Sequence, residues 1–213
     1  MSSRYDRQLR LWAADGQAAL EAAHVLVLSS SATATAILKN LVLPGIGAFT
    51  ILDDALVSPS DAGNNFFLHG PHSIGKPRAQ QAAVLLQELN DSVRGYADLI
   101  SLDHLVAAEK LKISKYTLVV AHNLPQHQLQ SLSQLLWQDT NDAPPLVVVR
   151  SAGFLAEFFI QQHEHTSKSL PSLSRTPRTH IPSSHRVPLG NSPFPPHRQT
   201  LSSSPAIQPK FGS

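Results

Sequence analysis

A loop without glycine, between a predicted strand and a predicted helix, constrains this chain more than any other feature. The apolar run His24–Leu28 predicts a short buried strand, and residues 37–41 belong to the helix that follows it. Nucleotide-binding α/β units carry G-x-G-x-x-G at this junction, because glycine lets the backbone approach a phosphate closely. Residues 29–36 instead read SSSATATA, so every position has a Cβ atom. The junction predicts a nucleotide-binding architecture that has lost its own phosphate contact.

Strand and helix signals alternate along residues 4–165. This alternation predicts an α/β fold of the Rossmann type, with a doubly wound, mostly parallel sheet. Further strands are predicted at Ala48–Leu52, 97–101, 117–121 and 146–149, with a returning edge strand at 154–160. Helices are predicted at 15–23, through residues 37–43, and at 76–89, 106–111 and 129–137.

The charge of the chain divides it into two parts. From Thr166 onward there is no Asp or Glu and there are six Lys or Arg, whereas all 15 acidic residues precede that point. Residues 166–213 are also rich in Ser and Pro, and their apolar residues have no period. We therefore predict a domain at 4–165 and a basic, disordered tail at 166–213. The tail has few aromatic residues and no packed scaffold, so we do not expect it to bind nucleic acid.

The composition excludes several classes of protein. There is no cysteine, which excludes disulfides, a cysteine zinc site and a thiol nucleophile. No stretch approaches the roughly 20 apolar residues of a membrane span, and no apolar run follows a basic start near residue 1, so we expect no secretory leader. We therefore expect a protein of the cytoplasm or nucleus that does not contact membranes.

Asp53 and Lys76 are the candidate remnants of a nucleotide site. Asp53 follows the second predicted strand, where an acid commonly binds a ribose hydroxyl. Beside a loop without glycine, a structural role in capping the loop is the favoured interpretation. Lys76 lies at the start of a predicted helix, where it could meet a phosphate. An oxidoreductase that binds NAD through Asp53 is the alternative, and the missing glycines argue against it.

Other candidate residues indicate no metal site. Residues 118–128, from the fourth strand onward, contain no carboxylate that could hold Mg²⁺. His163 and His165 have a spacing that suits a metal on a strand, but no third ligand accompanies them. We expect four aromatic residues to lie in the core or at a subunit interface: Trp12, Phe66, Phe67 and Trp137.

Three motifs carry a resemblance to the E1 enzymes that activate ubiquitin and its relatives. RYDRQLRLW at 4–12 resembles their opening signature, and ILKNLVLPGIG at 37–47 resembles the segment after their nucleotide loop. DAGNNFFL at 61–68 lies where active E1 halves have an N-R-Q-F-like motif with an arginine for the ATP site. NNFF lacks that arginine. Together with the ATAT loop, this resembles the regulatory subunits of NEDD8-activating E1 enzymes more than their SUMO counterparts.

The resemblance implies a ThiF/E1-type pseudo-adenylation domain that is not catalytic on its own. It would pair with a catalytic E1 subunit in a pseudo-symmetric heterodimer, and this chain would bind no cofactor itself. The catalytic subunit would bind ATP and Mg²⁺, adenylate a NEDD8-like modifier, form a thioester through its cysteine and pass the modifier to an E2.

The resemblance also implies a role for Arg7, at the matching position of the family's R-Y-D-R-Q motif. Arg7 would reach the partner's ATP in trans. A permanently charged guanidinium suits a triphosphate whose charge is redistributed during transfer. Without the resemblance, Arg7 would be interpreted as a solvated or interface arginine.

The resemblance fades at residues 158–165, where the basic tail begins. Regulatory subunits of this family continue well beyond 213 residues, so we expect a truncated form whose sheet lacks its final strands. The alternative function is therefore an interaction fragment that binds the catalytic subunit without supporting its activity.

Overall fold

The computed structural model describes residues 4–107, 113–138 and 143–163. Within these residues one sheet has the strand order β3-β2-β1-β4-β5-β6. The strands are β1 His24–Leu28, β2 Ala48–Leu52, β3 Arg94–Asp98, β4 Leu118–His122, β5 Leu146–Ala152 and β6 Leu155–Gln161. The first five run parallel, and β6 returns antiparallel to β5. This confirms the predicted Rossmann-like, mostly parallel sheet, while the predicted tail lies outside the described residues.

Helices cover both faces of the sheet. They are α1 Asp6–Ala22, α2 Ala32–Val42, α3 Pro59–Asn64, α4 Arg78–Gln87, α5 Leu102–Ala107 and α6 Gln126–Gln138, with 3₁₀ turns at Gly70–Ser73 and Ile113–Lys115. The prediction missed α3 and the first half of α1, which is interrupted at Ala13 by a backbone φ of 60°. The helix predicted at 106–111 begins earlier, as α5, and residues 108–112 lie outside the described part of the chain.

The core has two halves because successive strand residues point to opposite faces of the sheet. On one face Val25, Val27 and Phe49 pack beneath α2 and α4. On the other face Leu26 and Leu28 pack with β4, β5 and α6. Strand β1 is thus buried from both sides, and the loop that leads to α2 follows directly at its end.

Strand β3 begins three residues before the predicted strand at 97–101. The predicted range includes the apolar residues Leu99 and Ile100, but both side chains are exposed just beyond the strand. The true strand is an edge strand with one partner, β2, and most of its residues are exposed. An edge strand of this kind has little apolar pattern to detect, because it buries little surface.

The four aromatic residues have different environments. Phe67 lies in the core, as predicted. Phe66 is 85% exposed, which excludes the core, and the predicted alternative of a subunit interface stays a prediction. Trp137 is half-buried and stacks on His163 with 4.5 Å between ring centroids. Trp12 is partly exposed and donates a hydrogen bond from Nε1 to Gln17.

Gly47 lies where the end of α1 meets the start of β2. A Cβ atom at Gly47 would lie 2.0 Å from the carbonyl oxygen of Glu21. We expect Gly47→Ala to lower the free energy of unfolding by about 2–3 kcal/mol, because backbone must move to relieve the overlap.

Urea unfolding measures this effect, with Gly63→Ala as the matched control. A Cβ at Gly63 meets no atom within 4 Å, and alanine favours the helix α3. Equal stabilities of the two variants would contradict the close packing of α1 on β2.

Candidate functional site

The glycine-free loop joins β1 to α2 at the edge where the parallel strands end. Ser29 has a φ of 99°, a left-handed conformation that favours glycine. Ser31 caps α2, since its Oγ accepts a hydrogen bond from the backbone N–H of Ala34 at 3.3 Å. The loop therefore makes a sharp turn at Ser29 and leads directly into the capped start of α2.

The Asp53 carboxylate points into this loop, and both of its oxygens bind groups of this chain. One carboxylate oxygen accepts hydrogen bonds from the backbone N–H and the hydroxyl of Ser30, the former at 2.7 Å. The other oxygen accepts from the N–H of Ala55 at 3.0 Å. The Arg78 guanidinium completes the set with an ion pair at 2.8 Å. A ribose hydroxyl would have to displace these partners, so the geometry favours a structural role for Asp53.

Arg78, which the sequence analysis did not single out, bridges two acids. Its guanidinium lies 2.8 Å from the Asp53 carboxylate and 3.1 Å from that of Asp61. The Asp53 and Arg78 side chains are only 5% and 18% exposed. Burial disfavours the charged guanidinium, but Asp53 and Asp61 outweigh it and raise the pKa of Arg78. The cation beside Asp53 is therefore Arg78, two residues after Lys76, and it pairs with carboxylates of this chain.

Asp61 is held by a second set of contacts at the start of α3. Its carboxylate accepts hydrogen bonds from the hydroxyl of Ser58 at 2.6 Å and from the Ser58 N–H at 3.0 Å. Burial acts to raise the pKa of Asp61, but the Ser58 hydrogen bonds and Arg78 outweigh it, so the pKa is lowered. Asp61 is therefore ionised together with its partner cation.

Asn65 closes the loop from the side of the NNFF motif. Its Nδ2 donates to the carbonyl of Ser30 at 3.0 Å, and its Oδ1 accepts from the Thr35 hydroxyl and the Phe67 N–H, each at 3.0 Å. Asn65 is buried. In the resemblance to E1 enzymes, active halves have their ATP-site arginine at the position of Asn65. In this chain the neutral amide of Asn65 binds the loop backbone.

His122 ends β4 and links the loop to β5. Its Nδ1 shares a hydrogen bond of 2.7 Å with the Ser31 hydroxyl, and its Nε2 shares one of 2.9 Å with Ser151. Burial lowers the pKa of His122. Among the described residues, no buried side-chain nitrogen or oxygen lacks a hydrogen-bond partner. The loop site is therefore satisfied without a ligand.

The lowered pKa of His122 predicts an acid-dependent loss of stability. Between the lowered pKa and 6.5 the unfolded chain binds more protons than the folded one, so stability falls as pH decreases through that range. His122→Gln keeps hydrogen-bonding groups and has no proton to gain. We expect the variant to lose less stability than the parent between about pH 7 and 5.

Urea unfolding at a series of pH values measures this difference. The pKa of His24 is lowered as well, by burial, Lys115 and Arg94, so the His122→Gln variant keeps part of the acid dependence. Identical pH profiles for the two proteins would contradict a neutral, buried His122.

Arg7 lies at the opposite edge of the sheet from this loop. The start of α1 is anchored where the strands begin: Arg4 pairs with Asp91 at 2.7 Å, and the Tyr5 hydroxyl accepts from Asn90 at 3.0 Å. A five-residue strand separates the two edges by about 13 Å. Arg7 is exposed and forms no ion pair with any described residue. The fold thus keeps Arg7 away from its own loop.

The other predicted site residues do not converge on the loop. Lys76 is exposed, two residues before α4, and makes no ion pair within the described residues. His163 shares a hydrogen bond of 3.1 Å with the carbonyl of Leu136, and His165 lies outside the described residues. The described residues hold no cluster of three metal-ligating side chains, and none of their helices has the length and apolarity to span a membrane.

Comparison with known proteins identifies the family. The sequence profile of the ThiF family matches residues 5–121, which include the loop, Asp53 and β4. The chain belongs to the ThiF family. Its ThiF fold also resembles the crystal structure of E. coli MccB with succinimide, with a TM-score of 0.64 and 13% identity over 77% of this chain and 50% of that one. E. coli tRNA N6-threonylcarbamoyladenosine dehydratase, TcdA, gives a TM-score of 0.54 at 19% identity, over 68% and 59%.

Among ThiF proteins, the chain is similar to the NEDD8-activating enzyme E1 regulatory subunits, which confirms the resemblance seen in the motifs. The Xenopus laevis protein of that name is 50% identical over 163 residues, which are 76% of this chain and 30% of that protein. The Drosophila melanogaster protein is 42% identical over 165 residues, 77% and 30%. The Arabidopsis thaliana protein AXR1 is 39% identical over 163 residues, 76% and 29%. The chain spans about 30% of the length of these relatives.

Proposed function

We propose that this ThiF chain is the non-catalytic, regulatory part of a NEDD8-activating E1. In this role it supports ATP-dependent adenylation and thioester formation of a NEDD8-like modifier by a separate catalytic subunit, which then transfers the modifier to an E2. One observation carries the proposal: the loop that would bind a nucleotide is closed by the Asp53–Arg78 ion pair of this chain. The names of its relatives supply the modifier and the pathway.

The residues of the loop do not fit ATP. Both carboxylate oxygens of Asp53 accept hydrogen bonds from this chain, Asn65 binds the loop backbone, and each loop residue from 29 to 36 carries a Cβ atom. ATP and Mg²⁺ therefore belong to the catalytic partner in this proposal, and no step of the reaction passes through the loop of this chain.

Arg7 is the group that this chain contributes to the reaction. It is exposed on the first turn of α1, a helix that Arg4 and Tyr5 anchor to the sheet edge. A guanidinium held on an anchored helix has lost part of its freedom before it binds phosphate, which lowers the entropic cost of the contact. Arg7 would place its charge on the triphosphate in the partner's site.

Reconstitution with a catalytic subunit of the NEDD8-activating enzyme tests the function. We expect NEDD8-dependent ATP–pyrophosphate exchange to require both proteins, and the two to co-elute. Calorimetry of this chain alone should give no saturable binding of Mg·ATP or NAD up to about 1 mM. Exchange that does not depend on this chain would refute the proposal, and saturable NAD binding would revive the oxidoreductase alternative.

A second candidate function rests on the exposed apolar side chains of β6, among them Leu155, Phe158 and Ile160. Such a patch suits a binding surface. The chain would then bind the catalytic subunit without supporting its activity, and co-elution without exchange would be the result. Both candidates place the protein in the cytoplasm or nucleus, which imaging of an N-terminally tagged chain tests.

A further inference from the structure

A second polar site lies on the sheet away from the loop. It lies on the sheet face that α6 covers over β1, β4 and β5, at the edge strand β3, where Arg94 and Tyr96 are exposed. A cavity of about 350 Å³ occupies this area. Its polar lining comes from His24, Thr50, Arg94, Tyr96, Asp98 and Lys115. This volume is at the lower end of the range for small-molecule sites.

The strand register gathers the basic groups at one end of the cavity. His24 and Arg94 both align with the first residue of β2, so they share one row of the sheet. Lys115 Nζ and the His24 ring each lie 4.8 Å from the centre of the Tyr116 ring. Asp98 lies four residues further along β3, about 13 Å from Arg94. The cavity is therefore positive at the end where the strands begin.

Within residues 4–107, 113–138 and 143–163, no acid pairs with the positive end. Among the residues that the structure describes, neither Arg94 nor Lys115 forms an ion pair. The pKa of His24 is lowered, mainly by burial and further by the positive charges of Lys115 and Arg94. Its Nε2 shares a hydrogen bond of 2.9 Å with the buried hydroxyl of Thr50, which fixes the ring at the cavity wall.

We propose that this cavity binds a small oxyanion, a phosphate group either free or esterified, between Arg94, Lys115 and His24. Arginine offers a planar fork of donors and lysine a point charge, and both form short, charge-assisted hydrogen bonds with phosphate oxygens. The Tyr96 ring, 6.0 Å from the His24 ring, gives an esterified ligand an aromatic surface beside the anion. The site does not involve Arg7 or the loop, so it stands independently of the proposed function.

NMR titration with inorganic phosphate at constant ionic strength tests the site. We expect saturable shifts of the His24 ring protons and of the Gly95 amide, which sits between two lining residues of β3. Arg94→Gln and Lys115→Gln should each weaken binding about fivefold or more. Arg10→Gln removes the same charge from a residue of α1 that does not line the cavity and pairs with Asp6, and it should leave the affinity unchanged.

Titrations with phenyl phosphate and with sulfate identify the chemistry of the ligand. Phenyl phosphate that binds more tightly than inorganic phosphate indicates an ester, and equal affinities indicate the free anion. Sulfate keeps its charge across the pH range, so its affinity should rise as pH falls through the pKa of His24, and this rise should disappear in His24→Gln.

Three outcomes would overturn the proposal. The first is a shift that grows linearly with phosphate, and the second is equal affinity in the Arg94→Gln and Arg10→Gln variants. The third is an extended acidic peptide that binds this face far more tightly than either phosphate, since that result would assign the cavity to a protein partner.

Discussion

Arg78→Ala is expected to lower the free energy of unfolding by about 3–5 kcal/mol, because it leaves the Asp53 carboxylate buried without its cation. The Asp53 side chain is 5% exposed, and Arg78 is the ionic partner that it shares with Asp61. Breaking a buried pair from one side costs more than the pair itself contributes. Urea unfolding monitored by circular dichroism measures the loss.

Two variants make this prediction specific. Arg10→Ala removes an exposed i,i+4 ion pair with Asp6 and should cost no more than about 0.5 kcal/mol. Adding Asp53→Asn to Arg78→Ala removes the unpaired charge, so the double variant should regain part of the lost stability. A double variant as unstable as the sum of the single ones would show that the two side chains act independently, contrary to the structure.

Arg7→Ala is expected to lower NEDD8-dependent ATP–pyrophosphate exchange in the reconstituted pair about 10²–10³-fold, if Arg7 stabilises charge as an oxyanion donor does. The free energy of unfolding should be unchanged, because Arg7 is exposed and bridges no described residue. Arg7→Lys keeps the charge but loses the planar fork, so it should restore only part of the rate.

Arg10→Ala is the matched control for this measurement as well. Arg10 lies one turn further along the same helix and is also exposed, yet it pairs with Asp6. The Arg10 variant should retain the parent rate. If Arg7→Ala retains the parent rate as well, or loses only affinity for the catalytic subunit, Arg7 is an interface residue and not a contact to the triphosphate.

The buried strands β1 and β2 have their predicted limits, and β4 lies one residue later than predicted. β1, β2 and β4 are almost entirely buried, and burial demands apolar runs that stand out in a sequence. The short helix α3 could not be predicted in the same way. It buries no residue, and its first turn depends on the capping box between Ser58 and Asp61, which has little apolar signal beside it. A surface helix such as α3 depends on local hydrogen bonds, which a search for apolar periodicity does not detect.

Only part of the candidate site could be predicted from the sequence. Its missing glycines and the acid at the end of β2 are local features, so they could be found by inspection. Arg78 could not be selected in this way. Its ion pair with Asp53 spans 25 residues, and its contact with Asp61 spans 17. Lys76, two residues away, has the same charge and was the candidate chosen, although its side chain is exposed.

The sequence by itself determined the α/β alternation, the motifs of the ThiF family and a loop in which side chains replace the glycines of a phosphate cradle. These depend on neighbouring residues and are therefore local. Only the tertiary structure decided that Arg78 and Asn65 close that loop, and that Arg7 lies at the other edge of the sheet. Charge pairing depends on which loop and helix residues meet at the ends of the strands, and that arrangement arises only when the helices pack on the assembled sheet.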